Sequence, residues 1–261
     1  MKIGAQMYTI REYIKDERGI EASLRKLKAI GFDMVQASAL GPCNVDRLAG
    51  WLRELDMELC ATHSPWDRLA DPAELKTLID EHRRLGCSHI GLGMKPGVFP
   101  DTYEGWTAFI DNVNEICKTI RDAGMTFGYH NHEFEFQKFD GVRAIDRLAA
   151  ECPDIDIILD VFWVQAGGAN PAEYIDKLKG RIRLIHFKDF RINGRTRQFA
   201  EIGEGNLDWG DIVSRCEGSD IPCAVIEQDG DFLTGDPFES LALSREFLVR
   251  GGFWGGLYPF M

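Results

Sequence analysis

Residues Ile155–Asp189, IDIILDVFWVQAGGANPAEYIDKLKGRIRLIHFKD, hold one strand–helix–strand unit, and their reading decides the fold. IDIILDVFWV is a β-branched, apolar run with the patterning of a buried strand. In NPAEYIDKLKG, Asn170 stands as N-cap and Pro171 at the first helical position, where its missing N–H costs nothing. IRLIHFKD then returns as a second apolar strand. Both strands are too apolar for a sheet with one wet face, so helices must cover them.

The same alternation runs outward in both directions. Upstream strands are expected in KIGAQMYT, FDMVQAS, MELCATH, SHIGLG and MTFGYHNH. The helices between them start at GIEASLRKLKAIG (ended by Gly31), NVDRLAGWLRELD (capped by Asn44), DPAELKTLIDEHRRLG (capped by Asp71, with Pro72 next) and Tyr103. VRAIDRLAAEC is a further helix. Downstream come helix LDWGDIVSRCEG, strand IPCAVIEQD and helix DPFESLALSREFLVRG. Eight βα units in 261 residues predict a single (β/α)8 TIM barrel spanning residues 1–261. A doubly wound sheet is the alternative, but no G-x-G-x-x-G follows a strand. The Gly- and aromatic-rich tail, residues 252–261, is expected to pack on the barrel or on a partner subunit, which leaves a homo-oligomer open.

Composition narrows the partners. The formal net charge of −12 argues against nucleic acid and anionic membrane, since both select clustered Lys and Arg. FKDFRINGRTRQF is a small basic exception, read as a solvated loop. No apolar run approaches the ~20 residues of a membrane span, and the N-terminus lacks the pattern of a signal peptide. Seven dispersed cysteines without C-x-x-C fit free thiols in a reducing cytoplasm.

In such a barrel the chemistry sits where strands end at the C-terminal face. Strand ends here carry His63, then His130, His132, Glu133 and Glu135, then Asp160, His186, Lys188, Glu227 and Asp229. Carboxylates with an imidazole and no thiolate suit one divalent ion, Mn²⁺, Mg²⁺, Co²⁺ or Zn²⁺, in an open oxygen-rich site. An ion there polarises a sugar carbonyl, and a flanking carboxylate can remove the proton beside it. Asp160 and Glu227 end apolar strands and would be costly there unpaired. Glu133 and Glu135 share one face by strict alternation, with the histidines on the other, so either carboxylate is open as the site group. Trp163, Trp66 and Phe162 are candidates for an apolar wall against a sugar ring. His82 and His89 receive no role.

The succession Glu, Asp, His, Glu over strands five to eight resembles the xylose isomerase-like TIM-barrel superfamily, in its sugar phosphate isomerase/epimerase branch. LRKLKAIGFDMVQAS, YHNHEFEF, LDVFWVQAGGANPAEYIDKLKGRI, IHFKD and IEQD carry the likeness, which covers essentially the whole chain. It implies Glu135, Asp160, His186 and Glu227 as metal ligands, with Glu135 and Glu227 as the acid/base pair. It leaves His63, His130, His132, Trp163 and Lys188 as substrate-binding groups. The implied activity is a metal-dependent sugar isomerase or epimerase working through an enediolate. The alternative is a dehydratase or lyase on a keto-inositol or 3-keto sugar, and a non-catalytic sugar-binding subunit is a further reading. Two positions depart from the pattern. Trp163 stands where tagatose-type epimerases place a histidine, and the second strand ends in Val35-Gln36 where Val-Glu is common. Endonucleases sharing the barrel need further histidines that GLGMKP and Trp163 do not supply.

Overall fold

The computed structural model describes residues 1–251, so the expectation for the 252–261 tail lies outside the described residues. Eight parallel strands form a nearly closed barrel: β1 (Lys2–Gln6), β2 (Met34–Ala37), β3 (Glu58–Thr62), β4 (His89–Leu92), β5 (Thr126–His130), β6 (Ile155–Asp160), β7 (Ile182–Phe187) and β8 (Cys223–Ile226). The hydrogen-bonded order runs β3-β2-β1-β8-β7-β6-β5-β4. At the seam between β3 and β4 the Ser64 N–H donates to the Gly91 carbonyl at 2.7 Å. A Cβ on Gly91 would lie 2.2 Å from the Thr62 carbonyl oxygen, so only glycine lets the seam close this tightly.

Capping residues fix the helices as the sequence predicts. Asn44, Asp71 and Asn170 each accept from two backbone N–H groups of their own first turns. Gly31 takes a left-handed φ of 105° and ends the helix Glu17–Ile30. Met34, Ala61, Ile158, Leu184 and Val225 fill the barrel interior. A larger apolar shell, including Leu24, Phe109, Ile157 and Ile185, lies between sheet and helices. Burial on both faces explains the near-continuous apolar strands. His82 belongs to that packing, bridging the Leu78 carbonyl oxygen and the Thr62 hydroxyl. His89 lies within β4 against the Thr126 hydroxyl rather than in or beside a helix.

Three local features differ from the sequence expectations. β1 stops at Gln6 and the chain turns into a 3-10 segment over Met7–Tyr13, with the Gln6 side chain accepting from the Tyr8 N–H. FKDFRINGRTRQF is not a loop: Asp189–Asn193 and Thr196–Ala200 pair antiparallel as a hairpin after β7. β5 stops at His130, and the residues after it form a short 3-10 turn over Phe134–Phe136. Among the described residues no helix is long and apolar enough to cross a membrane.

Candidate active site

The strand ends converge on one group of four buried side chains, His130, Asp160, His186 and Glu227, whose donor atoms lie within 4.8 Å of one another. His130 and Glu227 line a cleft of about 560 Å³ at the C-terminal mouth, while Asp160 and His186 are fully buried beside them. Tyr8, Trp66, Met94 and Trp163 supply its apolar wall, and Arg11, Ser38, His63, Ser64, His132, Lys188 and Asp229 its remaining polar lining. Phe162 lies behind that wall, buried against Trp163, Phe190 and Phe199.

Each of the four is aimed by a neighbour. Asp160 caps the helix that follows it: Oδ1 accepts from the Phe162 and Trp163 N–H groups at 2.9 and 3.2 Å. Its Oδ2 is thereby turned to the cluster, 3.3 Å from His130 Nε2. The Asn131 side chain ties β5 to β6 by accepting from the Asp160 N–H. His130 Nδ1 faces the Gly93 carbonyl at 3.0 Å. His186 Nε2 faces Gln36 Oε1 at 2.7 Å, and its Nδ1 faces Glu227 Oε2 at 2.9 Å.

These contacts decide where the ring hydrogens sit. A carbonyl oxygen only accepts, so His130 carries its hydrogen on Nδ1 and presents a bare Nε2 to Asp160. His186 lies between the Gln36 amide and Glu227, one ring nitrogen on each, and its tautomer follows the orientation of that amide. The His130 lone pair thus faces the Asp160 carboxylate. Burial, reinforced by His186 and only partly offset by Glu227, keeps the His130 ring neutral.

Lys188 is the cluster's cation. Its buried ammonium lies 3.0 Å from Glu227, 3.3 Å from Asp160 and 2.9 Å from Asp229. Burial opposes its charge, but the three carboxylates outweigh burial and raise its pKa. Burial also works against ionised Glu227, yet Lys188 and His186 hold it well below the usual carboxylate range. Burial, then the nearby Glu227, pushes Asp229 up to about 6. One ammonium among three carboxylates leaves an excess of negative charge. Two imidazoles and two carboxylates, all buried, fit a divalent ion of the Mn²⁺ or Zn²⁺ kind.

The structure parts from the sequence expectation at Glu135. Its carboxylate lies outside the group of four and does not line the cleft. The turn after His130 carries it back beneath the strand, where Oε1 accepts from the Tyr129 hydroxyl at 2.6 Å and Oε2 from the His132 N–H at 2.9 Å. Burial raises it to about 7 despite the Tyr129 bond. Glu133 is exposed and pairs with Arg197 at 3.2 Å. The place expected for a glutamate from β5 is occupied by His130, because the strand stops before alternation can reach either acid.

The other expected groups do meet the cleft. His132 lies 4.8 Å from the His130 ring and 5.2 Å from Trp163, and His63 lies 5.2 Å from His130. Burial lowers the pKa of both, His132 to about 3, so each presents a neutral ring. His63 Nε2, His132 Nδ1, Trp163 Nε1 and Asp229 Oδ1 are buried without a hydrogen-bond partner among the described residues. Groups of this kind around one cleft suit a ligand rich in hydroxyls. Sequence reasoning placed Asp229 at the rim without a role and did not assign Gln36, Asn131 or Arg11 to the site. Gln36 sits at a strand end and was within its reach.

Comparison with known proteins bears on the family and the fold. The chain is 23% identical over 166 residues to an inosose dehydratase of Clostridium beijerinckii, covering 56% of this chain and 54% of that one. It thus spans about half the length of the curated relatives it matches. Among solved structures, a sugar phosphate isomerase/epimerase from Parabacteroides distasonis superposes with a TM-score of 0.79 at 20% identity, covering 97% of this chain and 99% of the other. The IolI protein, solved with a bound zinc atom, superposes with a TM-score of 0.72 at 14% identity, covering 95% and 97%. Residues 24–230 match the model of the xylose isomerase-like TIM barrel, and the chain belongs to that family.

Proposed function

We propose that this protein is a divalent-metal-dependent sugar isomerase or epimerase that moves a proton next to a carbonyl. The observation that carries the reading is the buried group of two imidazoles and two carboxylates, His130, Asp160, His186 and Glu227, whose donor atoms lie within 4.8 Å of one another. His130, Asp160, His186 and Glu227 would hold the ion. A bound ion of this charge polarises a carbonyl and makes the neighbouring C–H acidic.

The remaining steps belong to this chain's own groups. Glu227, ionised and buried at the cleft floor, is the base placed to take the proton. Lys188 holds Glu227 and Asp229 in place and offers a hydrogen bond to a substrate oxygen. His63 and His132, both neutral, and Trp163 orient hydroxyl groups, while the Trp66 and Trp163 faces take the ring's apolar side. Glu135 acts at one remove, fixing Tyr129 and the His132 backbone. The setting is a reducing cytoplasm, in keeping with seven free cysteines.

Dehydration is the second reading. The curated relative named an inosose dehydratase favours it, as does Asp229, whose Oδ1 is unpartnered at the cleft. Both chemistries begin with the same proton removal.

Solvent-deuterium exchange into a panel of ketoses and keto-inositols, followed by NMR with Mn²⁺ present, tests the proposal. Deuterium beside the carbonyl of recovered sugar or its epimer is the expected result. Exchange accompanied by loss of a hydroxyl selects the dehydratase instead. Demonstrable metal and sugar binding with no exchange into any of them would overturn both and leave a sugar-binding subunit.

A further inference from the structure

Two cations line the cleft, Arg11 and Lys188. Lys188 is neutralised by three carboxylates. Arg11 is not. It stands in the 3-10 segment after β1, where its Nη1 donates to the Tyr8 carbonyl at 3.0 Å and its Nη2 to the Asp229 carbonyl at 2.9 Å. Its Cζ lies 4.5 Å from the centre of the Tyr8 ring. Two neutral carbonyls and an aromatic face fix the plane of the guanidinium without cancelling its charge. A guanidinium has five N–H donors, so three remain for a ligand.

Donors in the loops after the last two strands are already occupied. The loops after β7 and β8 are where barrels of this fold often hold a phosphate. Here the Asp189 carboxylate takes the N–H groups of Phe190 (2.8 Å), Gly203 (3.1 Å) and Leu207 (3.3 Å) and the Trp209 indole N–H (2.7 Å). Glu201 takes the Leu233 N–H at 2.9 Å. The protein's own carboxylates fill these donors, and the cleft cation left for a substrate anion is one planar fork. That geometry matches a carboxylate better than a phosphoryl group, which needs several converging donors. The acidic floor around Glu227 and Asp160 would direct a negative substrate group outward, toward Arg11.

We infer that Arg11 determines specificity by pairing with a carboxylate at the substrate end remote from the reacting carbonyl, so that the substrate is a keto-sugar acid rather than a neutral sugar or a sugar phosphate. The inference rests on the carbohydrate reading of the cleft but is tested apart from turnover. Calorimetric titration compares D-glucuronate, D-glucose and D-glucose 6-phosphate, hexoses that differ at one end, on metal-free and Mn²⁺-loaded protein alike. Glucuronate should bind at least about tenfold more tightly than either other sugar, the size of one charge-assisted hydrogen-bonded pair. Arg11→Gln should reduce that preference to within about twofold. Arg11→Lys should keep part of it, because the charge stays and the fork is lost. Equal affinities, no binding of glucuronate, tighter binding of the phosphate, or a preference that survives in R11Q or vanishes in R11K would overturn the inference. Thermal unfolding of both variants verifies that they are folded. Acid preference without deuterium exchange would remove the enolising function alone. Exchange into neutral ketoses without acid preference would remove this inference alone.

Discussion

His130 Nε2 lies 3.3 Å from Asp160 Oδ2, and both atoms are hydrogen-bond acceptors. The Gly93 carbonyl fixes the tautomer of the one, and helix capping occupies the other carboxylate oxygen. Neither residue can turn away without giving up a buried hydrogen bond. Such a pair is stable when a cation lies between its members, and His186 and Glu227 complete the same buried group.

Added Mn²⁺ or Zn²⁺ should therefore raise the unfolding temperature of protein first stripped with a chelator. A hundredfold excess over Kd corresponds to about 2.7 kcal/mol, or roughly 5–10 °C for a chain of this size. Asp160→Asn keeps the cap through its amide oxygen and removes the charge. Differential scanning fluorimetry should show most of the metal-dependent shift lost in that variant. A wild-type protein indifferent to both ions would contradict the donor assignment.

Lys188 sets up a second expectation. Its side chain is 1% exposed and is the ammonium shared by Asp160, Glu227 and Asp229. Lys188→Met keeps the stem and leaves three carboxylates facing one another. Breaking a buried ion pair from one side costs about 3–5 kcal/mol, so metal-free K188M should unfold at markedly lower urea. A divalent ion supplies charge at the same cluster and should recover part of the loss. Urea titrations with and without Mn²⁺ measure both effects. Equal destabilisation in the two conditions would mean that lost packing, not charge, dominates.

The barrel itself was legible because its signals are local. Asn44, Asp71 and Asn170 announce helix starts through short side chains that bond to nearby N–H groups, and strands buried on both faces cannot hide their apolarity. Asp160, His186 and Glu227 were legible for a related reason, since an acid or imidazole ending an apolar strand requires a partner. The fourth member was not. Alternation along HNHEFEF holds only while the strand continues, and the strand ends at His130, where tertiary contacts of His130 with Gly93 and of Asn131 with Asp160 take over that no local pattern encodes. The hairpin after β7 is a different kind of miss. Gly194, at a φ of 62°, opens a two-residue loop between the paired Asn193 and Thr196, a turn signature available in RINGRT. The surrounding Arg residues made the segment look merely solvated.

Glu135 offers a pH-dependent test of its altered place. In the unfolded chain it ionises near its ordinary value of 4.5, and in the fold near 7, because burial outweighs its bonds to Tyr129 and His132. Between those values the folded protein keeps a proton that the unfolded chain has lost, so stability falls as pH rises from about 4.5 to about 7. Glu135→Gln cannot ionise and lacks that decline. The amide must give up one of the two carboxylate bonds, a cost that does not vary over this range. Relative to wild type, E135Q should therefore gain stability with rising pH, by up to about 3 kcal/mol across the window, and change no further above it. Metal-free urea unfolding at pH 4.5, 5.5, 6.5 and 7.5 reads the difference directly. If the two proteins instead run parallel, Glu135 ionises in the fold as it does in the unfolded chain, and its carboxylate is held near a positive charge rather than buried against Tyr129.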